Sequence, residues 1–225
     1  MSDRMNTNKP IRKVGIVLRP SSPELKGVFL QTREMLEDSG IEVMLESISG
    51  GMIELLGLDF AKIASQCDGF ISLGGDGTLI SMLRRAFFYN LPCMGINTGR
   101  LGFLTAFMPD QLQAFIPHLQ NGSYALESHL VLQALVFESK DSTTPLHSIL
   151  AINEFLINKH ELSGMVQIDA HIDEMYFNSY RCDGLPHISK IPQDMQPLRE
   201  HFSEGMGLEC IVLGSPKGKI ELEFR

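Results

Sequence analysis

The chain has 225 residues and a formal net charge of −8; 44% of its residues are hydrophobic and 20% are charged. These values are typical of a folded protein with one large domain or two small ones, and the acidic balance disfavours a general nucleic-acid binder. No apolar run approaches the roughly 18 residues of a membrane span, the N-terminus lacks the apolar core of a secretory signal, and the four cysteines form no CxxC pair. We therefore expect a cytoplasmic protein with no nucleic-acid or membrane partner, no structural zinc and no disulfide scaffold.

The first part of the sequence alternates strand-like and helix-like segments. The compact apolar run Val14–Leu18 predicts a buried strand. Apolar residues at helical spacing from Leu25 to Leu36 predict an amphipathic helix that Gly40 ends, and Ile41–Leu45 returns to strand character.

The same alternation continues after a glycine-rich loop expected around Ser49–Gly51. A short helix is expected near Ala61–Gln66, and strands are expected at Phe70–Leu73 and Cys93–Ile96. This order predicts an α/β domain over residues 1–122, with a doubly wound, Rossmann-like parallel sheet.

Residues 123–225 show strand patterns without helices between them. The segments are Leu130–Phe137, Ile149–Ile157, Val166–Ile172, Leu208–Leu213 and Ile220–Phe224. A run of consecutive strands predicts a second domain, antiparallel and all-β.

The run Gly74-Gly75-Asp76-Gly77-Thr78 lies between the strand Phe70–Leu73 and a helix-like segment, Leu79–Phe88. Glycines let backbone N–H groups approach phosphate oxygens, and a helix N-terminus favours an anion. A helix cap with a tight turn is the structural alternative, but it would need only one of these residues. We favour a phosphate site that contains Asp76.

A second polar loop begins with Asn97 and Arg100 at the end of the next strand. Because the carboxyl ends of parallel strands meet at one sheet edge, both loops are expected to face one cleft. Arg100 could contact phosphate or lie on the surface.

Two further groups are candidates for ligand contacts. Asn153 and Glu154 interrupt an apolar segment, where they could bind sugar hydroxyls or face solvent. Arg181 and Asp183 precede Gly184, and they fit phosphate and ribose contacts or a plain turn.

Four motifs in this order resemble those of the bacterial NAD kinases. They are Gly74–Thr78, Gly95–Thr105, Ala151–Glu154, and Ile172–Glu174 followed by Asp183–Leu185. The resemblance covers the chain from about residue 12 to residue 185.

This resemblance implies transfer of the γ-phosphate of ATP to the 2′-hydroxyl of the adenosine ribose of NAD, giving NADP. Asp76 would be the general base, and Asn153, Glu154 and Asp183 would hold NAD in a β-rich NAD-binding domain. A divalent cation, usually magnesium, would bridge the triphosphate, and a homo-oligomer of two or four subunits is expected. The full set of expected nucleotide-binding residues is Gly74, Gly75, Asp76, Gly77, Thr78, Asn97, Arg100, Asn153, Glu154, Arg181 and Asp183.

After Leu185 the sequence departs from the family pattern. The family's Ile-Ser-Thr-Pro-Thr-Gly-Ser-Thr-Ala-Tyr run is replaced by a segment beginning Pro186-His187-Ile188. We interpret this as a deletion or reading-frame slip near residue 185. Two alternatives stay open: another kinase of the Gly-Gly-Asp-Gly type, acting on a lipid or sugar phosphate, and a catalytically defective NAD-binding remnant.

Overall fold

The structure is a computed structural model, and it describes residues 8–99, 102–105, 107–137, 142–152, 155, 166–172, 175–182, 209–214 and 219–224. The chain divides into two compact units, Met1–Glu127 and Ser128–Arg225.

The first unit contains a four-stranded sheet in which all neighbouring strands are parallel. Its strands are β1 (Lys13–Leu18), β2 (Glu42–Leu45), β3 (Gly69–Gly74) and β4 (Cys93–Asn97), in the order β2-β1-β3-β4. Because the strands run in one direction, their four carboxyl ends lie along one edge of the sheet.

Five α-helices lie in the described part of this unit. They are α1 (Lys26–Asp38), α2 (Ser47–Met52), α3 (Phe60–Ala64), α4 (Asp76–Ala86) and α5 (Leu112–Asn121). Gly40 ends α1 as predicted: it has a φ of +79°, and its N–H donates to the Glu37 carbonyl at 2.8 Å. No helix among the described residues is long and apolar enough to cross a membrane.

Helices cover both faces of the parallel sheet, because each buried strand carries apolar residues on both sides. In one core, Ile16 and Leu73 lie with Phe29 of α1 and Ile116 of α5. In the other core, Phe70 lies with Ile63 of α3 and Met82 of α4. A parallel sheet covered on both faces explains why its strands are near-continuous apolar runs.

Three sequence expectations in this unit differ from the structure. Residues 47–52 form helix α2 rather than a glycine loop, because the buried Glu46 caps it by accepting the Ser49 N–H at 3.0 Å. Helix α4 begins at Asp76 rather than Leu79, so the Asp-Gly-Thr of the glycine run is its first turn. Helix α5 was not expected, and it buries Leu112 and Leu119 against the first core.

The second unit contains a six-stranded sheet in the order β6-β5-β9-β10-β7-β8. The strands are β5 (Leu132–Phe137), β6 (His147–Ala151), β7 (Val166–Ile172), β8 (Met175–Cys182), β9 (Glu209–Gly214) and β10 (Lys219–Phe224). All secondary structure in the described part of this unit is strand, as expected. The sheet is mixed rather than antiparallel, however, because β5 pairs with β9, and β7 with β10, in parallel.

Two strand expectations in this unit also change. Strand β6 spans His147–Ala151, whereas the predicted strand was Ile149–Ile157, of which residues 153, 154, 156 and 157 lie outside the described residues. Strand β8 was not expected as a strand, and it includes the backbone of Arg181, which pairs with Gln167 of β7.

Candidate active site

The two polar loops predicted from the sequence meet at the carboxyl edge of the parallel sheet. Gly74 ends β3 and pairs in register with Asn97, which ends the neighbouring strand β4. Gly75 is the N-cap of α4, and Asp76 is its first residue. The expected convergence of the two loops on one place is therefore confirmed.

The Asp76 carboxylate lies against the backbone of the second loop. Its Oδ2 accepts the Phe103 N–H at 2.7 Å. Its Oδ1 accepts three hydrogen bonds, from the Leu104 N–H at 3.1 Å, the Thr105 N–H at 2.9 Å and the Thr105 hydroxyl at 2.8 Å. Four donors thus surround one carboxylate, and this arrangement stabilises its ionised form.

The environment sets the protonation state of Asp76. Burial opposes its ionisation, but hydrogen bonds from Thr105 and from the Phe103 and Leu104 N–H groups outweigh burial and hold the pKa of Asp76 below its ordinary value. A carboxyl with a lowered pKa is ionised at neutral pH and loses its charge only as the pH falls through that lowered value. The site therefore presents a carboxylate that can accept a proton.

Asn97 holds the loop segment that surrounds the Asp76 carboxylate. Its side chain is fully buried, and Nδ2 lies 3.3 Å from both the Thr105 carbonyl and the Thr105 hydroxyl. Its Oδ1 accepts the Gly99 N–H at 2.8 Å. The described contacts of Asn97 thus shape the second loop around Asp76.

The glycines of the site fall into two groups. A Cβ at Gly74 would lie 2.8 Å from Cβ of Thr78, and one at Gly102 would lie 2.8 Å from Cγ of Asp76, so packing within the chain requires glycine at both positions. A Cβ at Gly75 or Gly77 would meet no atom of the described residues within 4 Å, and neither residue has a positive φ. Neither packing nor backbone conformation explains these two glycines, and open space beside them is what an approaching ligand would need.

Backbone N–H groups of the first turn of α4 lie beside this space. The first residues of an α-helix have N–H groups without an intrahelical acceptor, and Asp76 and Gly77 hold these positions in α4. The Thr78 N–H bonds the Gly75 carbonyl at 3.0 Å, and the Thr78 side chain is buried. An anion at this helix end would also gain from the helix dipole.

Arg19 brings a positive charge to the same edge. It follows β1, its N–H bonds the Leu73 carbonyl at 2.9 Å, and its Nη1 lies 3.7 Å from the place a Cβ would take at Gly99. Its Nε donates to the Ser22 hydroxyl and its Nη2 to Glu24, both at 2.7 Å. The guanidinium therefore lies beside the second loop, and the Arg19 β-carbon lies beside Gly74 of the first.

The structure brings together only some of the nucleotide-binding residues that the sequence predicts. Gly74, Gly75, Asp76, Gly77, Thr78 and Asn97 lie together at the carboxyl edge. Arg100, Asn153, Glu154 and Asp183 lie outside the described residues, and for Arg181 the backbone alone is described.

Sequence reasoning assigned no role to Thr105 or Arg19. A signal existed for each: Thr105 is a hydroxyl inside the apolar run Phe103–Phe107, where it needs a partner, and Arg19 directly follows a buried strand. Neither signal by itself identifies a site residue, because many hydroxyls in apolar segments and many arginines after strands have no part in a site.

Comparison with known proteins identifies relatives for most of the chain. Residues 14–124 match the model of the ATP-NAD kinase N-terminal domain. The NAD kinase of Helicobacter hepaticus is 65% identical over 188 residues, covering 79% of this chain and 62% of that protein. The NAD kinase of Wolinella succinogenes is 47% identical over 175 residues, covering 78% of this chain and 59% of that protein.

A solved structure has a similar fold. Yeast NADH kinase in complex with NADH superposes with a TM-score of 0.66 at 18% identity, covering 78% of this chain and 57% of that one. The chain spans about three fifths of the length of the curated relatives it matches.

Proposed function

Because this chain belongs, through residues 14–124, to the NAD kinase family, we propose that it transfers the γ-phosphate of ATP to the 2′-hydroxyl of the adenosine ribose of NAD. The observation that carries this proposal is the ionised Asp76 carboxylate at the N-terminus of α4, beside two glycines whose Cβ positions the described residues leave open. The products are NADP and ADP.

Asp76 is the general base of the proposed reaction. It takes the proton of the 2′-hydroxyl as that oxygen bonds the γ-phosphorus. The bond from the γ-phosphorus to the β,γ-bridging oxygen breaks, and ADP leaves with its electron pair. Such transfers need mainly positioning, charge neutralisation and one residue that orients the attacking hydroxyl. The hydrogen bonds that hold Asp76 supply that orientation.

The phosphates of the proposed nucleotides lie beside Gly75 and Gly77, where the backbone is open. The first-turn N–H groups of α4 have no acceptor within the helix, and Arg19, whose Nη1 lies near Gly99, adds a planar cation that matches phosphate geometry. These features support binding of a polyphosphate by a protein whose net charge is −8.

Gly77→Ala tests whether the open space beside α4 receives a nucleotide. Since a Cβ there meets no atom of the residues that the structure describes, we expect unfolding stability to be unchanged or raised by about 0.4–1 kcal/mol. Affinity for ATP or NAD should fall at least about tenfold, because the methyl group occupies ligand space. Calorimetric titration and urea unfolding measure the two effects.

Gly27→Ala is the matched control. Gly27 lies in α1, and a Cβ there also meets nothing within 4 Å. This variant should keep full nucleotide affinity, and equal affinities for all three proteins would contradict a ligand at Gly77.

Arg19→Gln tests the proposed phosphate contact. We expect ATP affinity to fall about 10- to 100-fold, since a charge-assisted hydrogen bond contributes about 1.5–3 kcal/mol. Arg33→Gln is the control, because both arginines pair with a nearby glutamate and are similarly exposed, at 41% for Arg19 and 40% for Arg33. Equal ATP affinities of the two variants would remove Arg19 from the site.

Magnesium enters this proposal as the complex of the triphosphate. The described residues contain no group of three or more His, Cys, Asp or Glu side chains that could hold a metal ion. Oδ1 of Asp76 already accepts three hydrogen bonds from N–H and O–H donors, so this oxygen is not available to a cation. No step is therefore assigned to a protein-bound metal.

The remaining assignments extend the same proposal. The first domain, residues 1–122, binds nucleotide through the glycine run, and the second, residues 123–225, binds NAD through Asn153, Glu154, Arg181 and Asp183. Arg100 contacts phosphate. The active form is a cytoplasmic homo-oligomer of two or four subunits.

A further inference from the structure

The two oxygens of the Asp76 carboxylate are not equivalent. Oδ1 accepts three hydrogen bonds, all in partly buried contacts. Among the described residues Oδ2 accepts one, from the Phe103 N–H at 2.7 Å. A carboxylate oxygen offers about two lone-pair directions, so Oδ1 is saturated while Oδ2 has capacity for another donor.

The Thr105 hydroxyl has one orientation that satisfies its neighbours. Its oxygen lies 2.8 Å from Oδ1 of Asp76 and 3.3 Å from Nδ2 of Asn97. The amide nitrogen of Asn97 can only donate, so the hydroxyl accepts from it and directs its own proton to Asp76. Asn97 and Thr105 are both fully buried, which keeps water out of this chain of hydrogen bonds.

We infer that Thr105, oriented by Asn97, is a positioning residue that fixes the Asp76 carboxylate by Oδ1 and leaves Oδ2 as the atom that takes the substrate proton. This inference rests on the proposed function, because it names the proton-accepting atom of that reaction. The proton of the attacking hydroxyl passes to Oδ2 as the new oxygen–phosphorus bond forms, and ADP leaves with the electron pair of the broken bond.

All groups that act on the Asp76 carboxylate within the described residues are neutral. They are the Thr105 hydroxyl and the N–H groups of Phe103, Leu104 and Thr105. No charged side chain there shares the effect, so removing the hydroxyl changes one of four hydrogen bonds and no ion pair.

The experiment compares Thr105→Val, which keeps the volume without the hydroxyl, with Thr105→Ser, which keeps the hydroxyl. Carbon-13 NMR of aspartate-labelled full-length chain follows the Asp76 carboxyl as the pH is changed. We expect its titration to move to higher pH in Thr105→Val and to return toward that of the unaltered chain in Thr105→Ser. This readout needs no turnover, so it stands even if the chain forms no NADP.

The role in the reaction is measured by steady-state kinetics of the same variants. Thr105→Val should lower kcat for NADP formation by up to about 10²-fold with little change in KM, and should move the acid limb of the pH profile to higher pH. Thr105→Ser should restore both quantities.

Two results would overturn the inference. One is an Asp76 titration that is the same in Thr105→Val as in the unaltered chain; the other is a moved titration with an unchanged kcat. A measurement on the unaltered chain guards against misfolding of the valine variant: the Thr105 hydroxyl proton should exchange slowly with water and give a nuclear Overhauser effect to the Asn97 amide, and rapid exchange without that signal contradicts the inference.

Discussion

Replacing Asp76 with asparagine is expected to lower kcat for NADP formation by about 10²–10⁴-fold, because the variant loses the group that takes the hydroxyl proton. Nucleotide binding should change little by comparison, since the open space beside Gly75 and Gly77 and the charge of Arg19 remain. Initial rates of NADP formation and calorimetric titration with NAD and ATP measure the two quantities. The expected result is therefore a loss in kcat with affinity preserved.

Asp59→Asn is the matched control for this experiment. Asp59 is the N-cap of α3, and its carboxylate accepts the Ala61 N–H at 2.8 Å, so it is also an acid at a helix N-terminus. Asparagine is an equally good N-cap, and this variant should keep full activity. If Asp76→Asn keeps activity within a few-fold of that of Asp59→Asn, Asp76 is not the base.

Replacing Phe70 with alanine is expected to reduce the free energy of unfolding of the first unit by about 3–5 kcal/mol. Phe70 is 2% exposed, lies in β3, and stacks on Phe60 with ring centroids 4.5 Å apart. Its ring also occupies the place a Cβ would take at Gly15, so alanine leaves a cavity lined by residues that cannot fill it. Hydrogen exchange of the β1 and β3 amides in increasing urea measures the loss in this unit.

Phe88→Ala is the control for core packing. Phe88 is 76% exposed, and its ring meets Phe87 edge-on at 5.3 Å. This change should alter stability by no more than about 0.5 kcal/mol. Comparable losses for both variants would contradict the two-faced core assigned to the parallel sheet.

The strands of the parallel sheet were predictable because burial on both faces makes each one a short, uninterrupted apolar run. Helix α2 was not, since its composition, Ser-Ile-Ser-Gly-Gly-Met, favours a loop. It is helical because Glu46 caps it and because Arg85 of α4 pairs with the same carboxylate at 3.0 Å, a contact far away in sequence. Helix propensity depends on neighbouring residues in the sequence, so it does not predict stabilisation by a residue as distant as Arg85.

In the second sheet, the sequence pattern predicted the strands but not how they pair. Consecutive strand patterns indicated an all-β unit, but pairing order depends on contacts between distant segments. Strand β9 lies between β5 and β10, and its parallel pairing with β5 has no local signature. The sequence could therefore indicate strands without indicating that the sheet is mixed.

The location of the candidate site at the edge of the parallel sheet was predictable from the sequence. The individual contacts within the site were not. Asp76 and Asn97 were selected because they follow neighbouring strands, and the structure brings them to one edge. The contact of Asp76 with Thr105 joins residues 29 positions apart, and no periodicity connects them. The hydrogen-bond partners of the proposed general base are thus a property of the fold rather than of the motif.

The most direct test of the proposed phosphoryl transfer is the formation of NADP from NAD, ATP and magnesium by the purified chain, followed by chromatography of the products. We predict that NADP and ADP accumulate in equal amounts and that a panel of lipid and sugar acceptors yields no phosphorylated product. A well-folded chain that binds both nucleotides but forms no NADP would contradict the proposed activity, and phosphorylation of another acceptor would assign a different substrate to the same site.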